Sequence, residues 1–480
     1  MGRTAQARDK APGNLRFVRD SKEGTIVAMS TINRFIFLLD TAFQALPAKV
    51  SMAETERLAK LVHYAMESKT RAYHTSEHVF GLCEGMQPLQ VLAALFHDLV
   101  YYQLDGGFPA HTANLLEDVI RSEEGSMILQ AIRPDDAALA LCAELFGFES
   151  GQVLSLYGGL NEFLSAVVAA RLLHPHLSAA DLVAVIACIE STIPFRKPDR
   201  QGRTAADRLA QRVQTQTSRL VGTRDPDVVQ ARVGRVVRDA IGLANRDVGS
   251  FSAQDPGQFL SSTWLLIEES NAPLAVTGQY TLQEYRYGLS RMDAFLRNLD
   301  PADIFQYYQG YPSPREVDGL CIAADRNIAF ACDFLGAKIA SLAVIEALAL
   351  CTGTDGPISM FLGDIRSADG RPERIEDFLP AVTPSARYNP DLLRVFEMGR
   401  SQESTNDLTT SPITAFVYRC TGHAGTVHTL ALARKMFDGV LTPQAFLHSL
   451  ERGMVRAIAR ACSHIALSRR AALLELARNL

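Results

Sequence analysis

The sequence predicts an all-α protein, on three observations. Apolar residues recur with a period near 3.6 along most of the chain, alternating runs of the strand type are nearly absent, and the breaks are short and marked by Gly and Pro, as in DGGF at 105–108 and PSP at 312–314. No fixed-period repeat is present, which argues against a solenoid. At 480 residues, 47% hydrophobic and 21% charged, the chain is long enough for a large core and for two or more domains.

Taken in order, the chain opens on a polar arm, MGRTAQARDKAPGNLRFVRDSKEGTIVAMS, with neither the apolar centre of a signal peptide nor, in MGRTAQ, the Ser or Thr of a myristoylation signal. Helical patterns then occupy 33–46, 52–67, 76–85, 88–102, 110–121, 135–146, 160–173, 178–192, 204–220, 225–248, 281–299 and 315–351. A turn-rich stretch between Leu299 and Pro314 marks a boundary, and loop-rich stretches follow at 351–374 and 400–412. The expected organisation is an arm and first helix over 1–50, a helical domain over 51–300 and a helical C-terminal region over 301–480, suited to an interface or a regulatory role. The most apolar run, IASLAVIEALAL at 339–350, is about twelve residues long and contains Glu346, so no membrane partner is expected.

Charge and cysteine usage narrow the function classes. A net charge of −5 provides no overall basic field, which disfavours nucleic acid as a partner. The eight cysteines are scattered with no CxxC pair, the usage of free buried thiols in a reducing cytoplasm. A cytoplasmic protein is the expectation.

The chemistry concentrates in two short stretches. PLQVLAALFHDLVYY at 88–102 is apolar on almost every face, so it reads as a buried helix, and its one charged residue is Asp98, beside His97. An ionised carboxylate in that setting costs several kcal/mol unless it is paired or bound to a metal. Upstream, YHTSEH at 73–78 sets His74 and His78 four apart around a helix start that Thr75 or Ser76 can cap. A further ligand is expected far downstream, where Val233, Val236, Val237, Ala240, Leu243 and Ala244 form an apolar stripe and Asp247 falls on its next step. Asp247 also lies near a helix C-terminus, where the macrodipole disfavours negative charge, so two penalties on one carboxylate point to a cation.

YHTSEHV, then FHD, then a distant helical Asp resemble the HD superfamily of metal-dependent phosphohydrolases, and YHxxxH is similar to the cyclic-nucleotide phosphodiesterase branch and its bacterial relatives. The resemblance covers roughly 50–300 and implies an HD-domain helical bundle, in which His78, His97, Asp98 and Asp247 hold the first of one or two divalent ions. Asp98 would also bridge towards a second ion, and His74 matches the family histidine that protonates the leaving oxygen. Imidazole and carboxylate ligands suit Mn, Mg, Zn or Fe alike, and such an ion generates hydroxide near neutral pH and polarises a phosphoryl oxygen. The nineteen positions from His78 to His97 are fewer than in the eukaryotic phosphodiesterases, which favours a bacterial form. No certain extra pair of histidines completes a second ion's site; His111, His174 and His176 are candidates that no motif aligns.

Around this set, Arg71 is placed either to contact a substrate phosphate or to sit in a salt bridge. Arg196 and Lys197, in FRKPDRQGR, form either an anion-steering lip or a solvated linker, and Tyr101 and Tyr102 either line the pocket or pack in the core. In the C-terminal region, His423 and His428 are five apart and share no helical face, which argues against a second metal site there. The aromatics of IFQYYQGYP at 304–312 and the apolar helix at 317–350 fit interdomain or homodimer packing. The leading expectation is a metal-dependent phosphohydrolase cleaving a small-molecule phosphoester, a nucleotide or cyclic nucleotide. The alternatives are an HD-type diiron oxygenase and a non-catalytic nucleotide-binding regulatory protein.

Overall fold

The protein is all-α. The computed structural model describes residues 29–108, 111–220, 225–364, 372–384, 387–401 and 407–480, so most of the N-terminal arm expected over 1–50 lies outside the described residues. The chain separates into two compact units, one of Met1–Ser68, His74–Asp247 and Gln306–Tyr311, the other of Lys69–Tyr73, Val248–Phe305 and Pro312–Leu480. Residues 248–305 thus pack with the later helices, whereas the sequence reading ends the first domain near 300.

The first unit contains α1 (Thr31–Gln44), α2 (Met52–Met66), α3 (Ser76–Cys83), α4 (Pro88–Phe96), the single turn α5 (Tyr102–Asp105), α6 (Ala137–Phe146), α7 (Leu160–Leu173), α8 (Ala179–Ser191), α9 (Ala205–Leu220) and α10 (Pro226–Asp247). At its centre are α4, α7 and α8, whose residues 90–96, 163–170 and 182–191 are buried without interruption. Continuous burial explains why these segments show little amphipathic contrast. Against them pack α1, α3 and α10.

Two stretches depart from the helical reading. The helix expected over 110–121 is replaced by a 3-10 turn at Ala113–Leu115 and a small antiparallel sheet of β1 (Ile120–Glu123), β2 (Ser126–Leu129) and β3 (Val153–Leu154). The β1–β2 hairpin closes on Glu124 and Gly125, both at positive φ, and this two-residue geometry matches strand twist where ordinary turns splay it. The helix expected over 88–102 ends at Phe96, because the Val100 and Tyr102 N–H groups donate to Ser165 Oγ and Asn161 Oδ1 of α7 at 3.0 Å each, leaving the helical ladder.

The segment Gln306–Tyr311, expected to serve packing between domains or copies, lies in the first unit. Its Gln306 N–H donates to Asn245 Oδ1 at 2.7 Å, and its side-chain amide donates to the Ser191 carbonyl at 2.6 Å.

The second unit comprises α11 (Pro256–Ser270), α12 (Leu282–Asn298), α13 (Pro314–Thr352), α14 (Ser359–Leu362), α15 (Pro390–Met398), α16 (Pro412–Phe437), α17 (Pro443–His448), α18 (Arg452–Ile465) and α19 (Arg470–Asn479). Its axis is α13, a 39-residue helix started by a Ser313/Glu316 capping box and packed on by α11, α12, α16 and α17. The apolar run at 339–350 is therefore one part of a longer helix that meets the length and composition of a membrane span, with 89% of its most apolar window buried. Extensive burial is also what a core helix shows.

All eight cysteines are free. Cys83, Cys142 and Cys188 of the first unit are buried, as are Cys332 and Cys462 of the second, while Cys321, Cys351 and Cys420 of the second are partly exposed.

Candidate metal centre

Helix α3 begins where the sequence requires, but by backbone geometry alone. Thr75 is its extended N-cap and makes no side-chain cap bond, contrary to the expected role of Thr75 or Ser76. His74 accordingly stands just outside the helix, and His78 sits in its first turn. His97 is the C-cap residue of α4 with Asp98 in the turn beyond it, and Asp247 is the last residue of α10. Three helix termini thus deliver His78, His97, Asp98 and Asp247.

The donor atoms converge. His78 Nε2 lies 3.0 Å from Asp247 Oδ1 and 4.0 Å from Asp98 Oδ2, and His97 Nε2 lies 2.9 Å from Asp98 Oδ2 and 3.6 Å from Asp247 Oδ1. A divalent ion bonded to N and O donors at about 2.1 Å holds neighbouring donors roughly 3–4 Å apart. The observed separations fall in that range. Among the described residues, His78, His97 and Asp247 form the one group of three or more His, Cys, Asp or Glu side chains whose ligand atoms all lie within 4.8 Å of one another.

His97 is oriented by a second bond. Its Nδ1 lies 2.8 Å from the Ala94 carbonyl, an oxygen that can only accept, so Nδ1 carries the proton and Nε2 faces the carboxylates. A carbonyl behind the imidazole is the arrangement that fixes the tautomer of metal-ligating histidines, and the residues present fit a divalent ion.

Electrostatics follow from burial and proximity. Burial alone would lower the His97 pKa, but Asp98 and then Asp247 overcome it and hold the imidazole well above the ordinary histidine range. Asp98, which burial would raise, is drawn well below the usual carboxylate range by His97, His74 and His78. Asp247 experiences the same opposition, with its bonds to His78 and His97 bringing it down to about 2.

Of the other sequence-derived residues, only His74 and Tyr101 border the donor set. His74 stays outside the donor set, its ring 6.0 Å from that of His78 and 4.5 Å from that of Tyr101, so Tyr101 is a neighbour of the site. Tyr102 turns to Phe108 at 5.4 Å. The Arg196 guanidinium is held at 2.6 Å by the buried Glu190 carboxylate, which also binds Arg212, while Lys197 is exposed. Arg71 is buried and belongs to the second unit, where the N–H groups of the following Ala72 and Tyr73 donate to Glu269 at 2.9 Å each. His111 stacks on Tyr64, and His176 lies 3.3 Å from Glu54, so neither joins the cluster.

Sequence reasoning missed Glu162. This residue of α7 lies between Asn161 and Ser165, the two side chains that tie α7 to the chain just beyond Asp98. Its Oε2 is buried without a hydrogen bond. Burial lifts its carboxyl to about 7 against a bond to its own backbone, and the negative charges of Asp98 and Asp247 add to the rise. The available signal was a lone acidic residue at the head of an otherwise apolar helix, which first-turn acids supply without any function.

Comparison of the chain with protein-family models, with characterised proteins and with solved structures returned no match.

Proposed function

We propose that the first unit is an HD-type metal-dependent phosphohydrolase acting on a phosphoester, with a nucleotide or cyclic nucleotide as the substrate class. The observation that supports this is the convergence of His78, His97, Asp98 and Asp247, with His97 Nε2 turned inward by the Ala94 bond. His78, His97 and Asp247 would hold a divalent ion and Asp98 would complete the set, the separations suiting one ion more directly than two. When bound, Mn, Mg, Zn or Fe supplies Lewis acidity, polarising a phosphoryl oxygen and acidifying water.

The chain's own groups supply the rest. His74, kept off the donor set and against Tyr101, gives a proton to the leaving oxygen. The scattered, unpaired cysteines are compatible with a reducing compartment, and a cytoplasmic location is part of this reading.

The test is metal content by mass spectrometry, paired with hydrolysis of a nucleotide and cyclic-nucleotide panel, for wild type and Asp98→Ala. About one equivalent of ion in wild type, lost together with hydrolysis in the variant, is the expected result. Unchanged metal and turnover in Asp98→Ala would remove the basis of the proposal. Iron with oxygen uptake would transfer the site to oxygenase chemistry, and tight nucleotide binding without turnover would make it regulatory.

A further inference from the structure

Lys338, midway along α13, is the one buried lysine among the described residues, where Lys49, Lys60, Lys69, Lys197 and Lys435 are exposed. The metal centre makes no use of it. Its Nζ donates to Ser411 Oγ at 3.2 Å, stands 3.5 Å from Asp407 Oδ2 and lies 4.5 Å from the centre of the Trp264 ring. Asp407 Oδ2 also accepts from Tyr285 Oη at 3.0 Å and stands 3.7 Å from Nη1 of the buried Arg400. Two cations thus share one carboxylate in the interior of the second unit. Burial holds the Lys338 ammonium down to about 8, with Asp407 opposing and Arg400 reinforcing the shift. A lysine desolvated beside a second cation is the setting in which an amine keeps its lone pair near neutral pH.

This amine faces open space. Lys338, Asp407, Tyr285 and Ser411 all border a cavity of about 80 Å³. Its remaining wall is mixed, with Leu342 and Leu362 supplying apolar surface and Arg374, Glu376 and Thr410 polar surface. An apolar cavity of about 150 Å³ accepts benzene, so this one suits a molecule of a few heavy atoms with one polar end. Arg400 does not border the cavity, and its part is confined to its charge.

We infer that Lys338 condenses with a short-chain aldehyde in this cavity, with Asp407 relaying the proton. The ammonium first gives a proton to Asp407, 3.5 Å away. The amine lone pair then attacks the carbonyl carbon, a C–N bond forms, and the carbonyl oxygen takes a second proton from nitrogen to give a carbinolamine. Asp407 returns its proton to the new hydroxyl, the C–O bond breaks, water leaves and a protonated imine remains. An ammonium and an aldehyde enter, an iminium and water result, and no oxidant or reductant is consumed. Tyr285, donating to the same carboxylate oxygen, holds Asp407 beside Nζ. An amine paired with a group able to expel hydroxide as water is what a carbonyl compound requires, whereas a simple anion requires neither. This site stands independently of the metal centre.

The test incubates the full-length protein with acetaldehyde and cyanoborohydride, which reduces an imine to a stable secondary amine, and maps the ethylated lysines by peptide mass spectrometry. Lys338→Met, Asp407→Asn and Asp98→Ala are run alongside. At about pH 7.5 an exposed lysine is almost wholly protonated, so Lys338 is expected to label at least about tenfold faster than the five exposed lysines, in wild type and in Asp98→Ala alike. Asp407→Asn should slow that labelling by roughly tenfold or more while the exposed lysines react as before. Without the reductant, acetaldehyde should change the emission of Trp264, the only tryptophan in the chain, saturably in wild type and not in Lys338→Met. Labelling of Lys338 no faster than that of the exposed lysines overturns the inference, and wild type alone suffices to read it. A Trp264 response that persists in folded Lys338→Met overturns it as well. Unchanged or faster labelling in Asp407→Asn overturns the relay assigned to that carboxylate.

Discussion

In the proposed site, His97 is both a titrating group and a metal ligand. Its folded-state pKa is raised, so in the metal-free protein its contribution to stability is fully present below about 6.5, the unfolded value, and fades as pH rises through the folded value. Asp247, held down to about 2, acts in the opposite sense: its contribution is present above about 3.9 and is lost only as pH falls towards 2. A divalent ion must displace the proton on His97 Nε2, so Mn²⁺ affinity should rise by about tenfold per pH unit while that proton is in place. Calorimetric titration at several pH values checks this, and a pH-independent affinity would contradict it. His74 carries a separate prediction. His74→Ala should retain bound metal and lower kcat by roughly 10²–10⁴-fold on ordinary phosphoesters. The deficit should shrink for a nitrophenyl ester, whose leaving group needs no proton, and an equal deficit on both substrates would argue against the acid role.

At the scale of elements, the site depends on where helices stop. Ser165 Oγ accepts from the Val100 N–H at 3.0 Å and lies 3.5 Å from the Val100 carbonyl, fixing the turn that follows Asp98. Ser165→Ala leaves that buried N–H unsatisfied, so it should cost about 1–3 kcal/mol and weaken metal binding without removing a ligand. Denaturant melts and metal titration of the variant decide it, and unchanged metal affinity would mean that the turn is held by other contacts. The same geometry explains what the sequence discloses. Asp98 was legible because it is the one charge on an otherwise apolar stretch, and Asp247 because it falls on the apolar stripe of α10. The end of α4 was not, because its apolar pattern continues past Phe96 and the bonds that break the helix come from Asn161 and Ser165, about sixty positions away. Glu162 was hidden for a related reason: the burial that raises its pKa, and the carboxylates that add to the rise, come only with the fold. The β1–β2 hairpin escaped notice because Glu-Gly is a weaker signal than Asn-Gly for a turn with two positive φ values.

For the whole molecule, the two units interleave along the chain. Residues 248–305 belong to the second unit and 306–311 return to the first, so a cut near 300 follows neither. Composition offered the turn-rich 299–314 stretch as a boundary, whereas the real division at 247/248 falls directly after α10, on whose last residue, Asp247, the proposed site depends, and has no linker signature. A fragment spanning 51–300 keeps α12 but loses α13, the long helix it packs on, and it lacks the Gln306 bonds to Asn245 and Ser191. It should be aggregation-prone and melt non-cooperatively, and a soluble, cooperative fragment would show that these helices fold without α13.

The distribution of cysteines gives this architecture a clock. Thiol reagents act on the thiolate at accessible sulfur, and every cysteine of the first unit is buried, Cys83 with its thiol pushed up to about 12. Labelling under native conditions therefore marks the second unit first, through Cys321, Cys351 and Cys420, while the first unit reacts only when it opens. Cys83 closes α3, the helix that carries His78, so the rate at which it is modified reports how often that helix comes loose. If the proposed ion is held by His78, its binding should slow that opening, which would turn an inert buried sulfur into a kinetic readout of occupancy without any substrate.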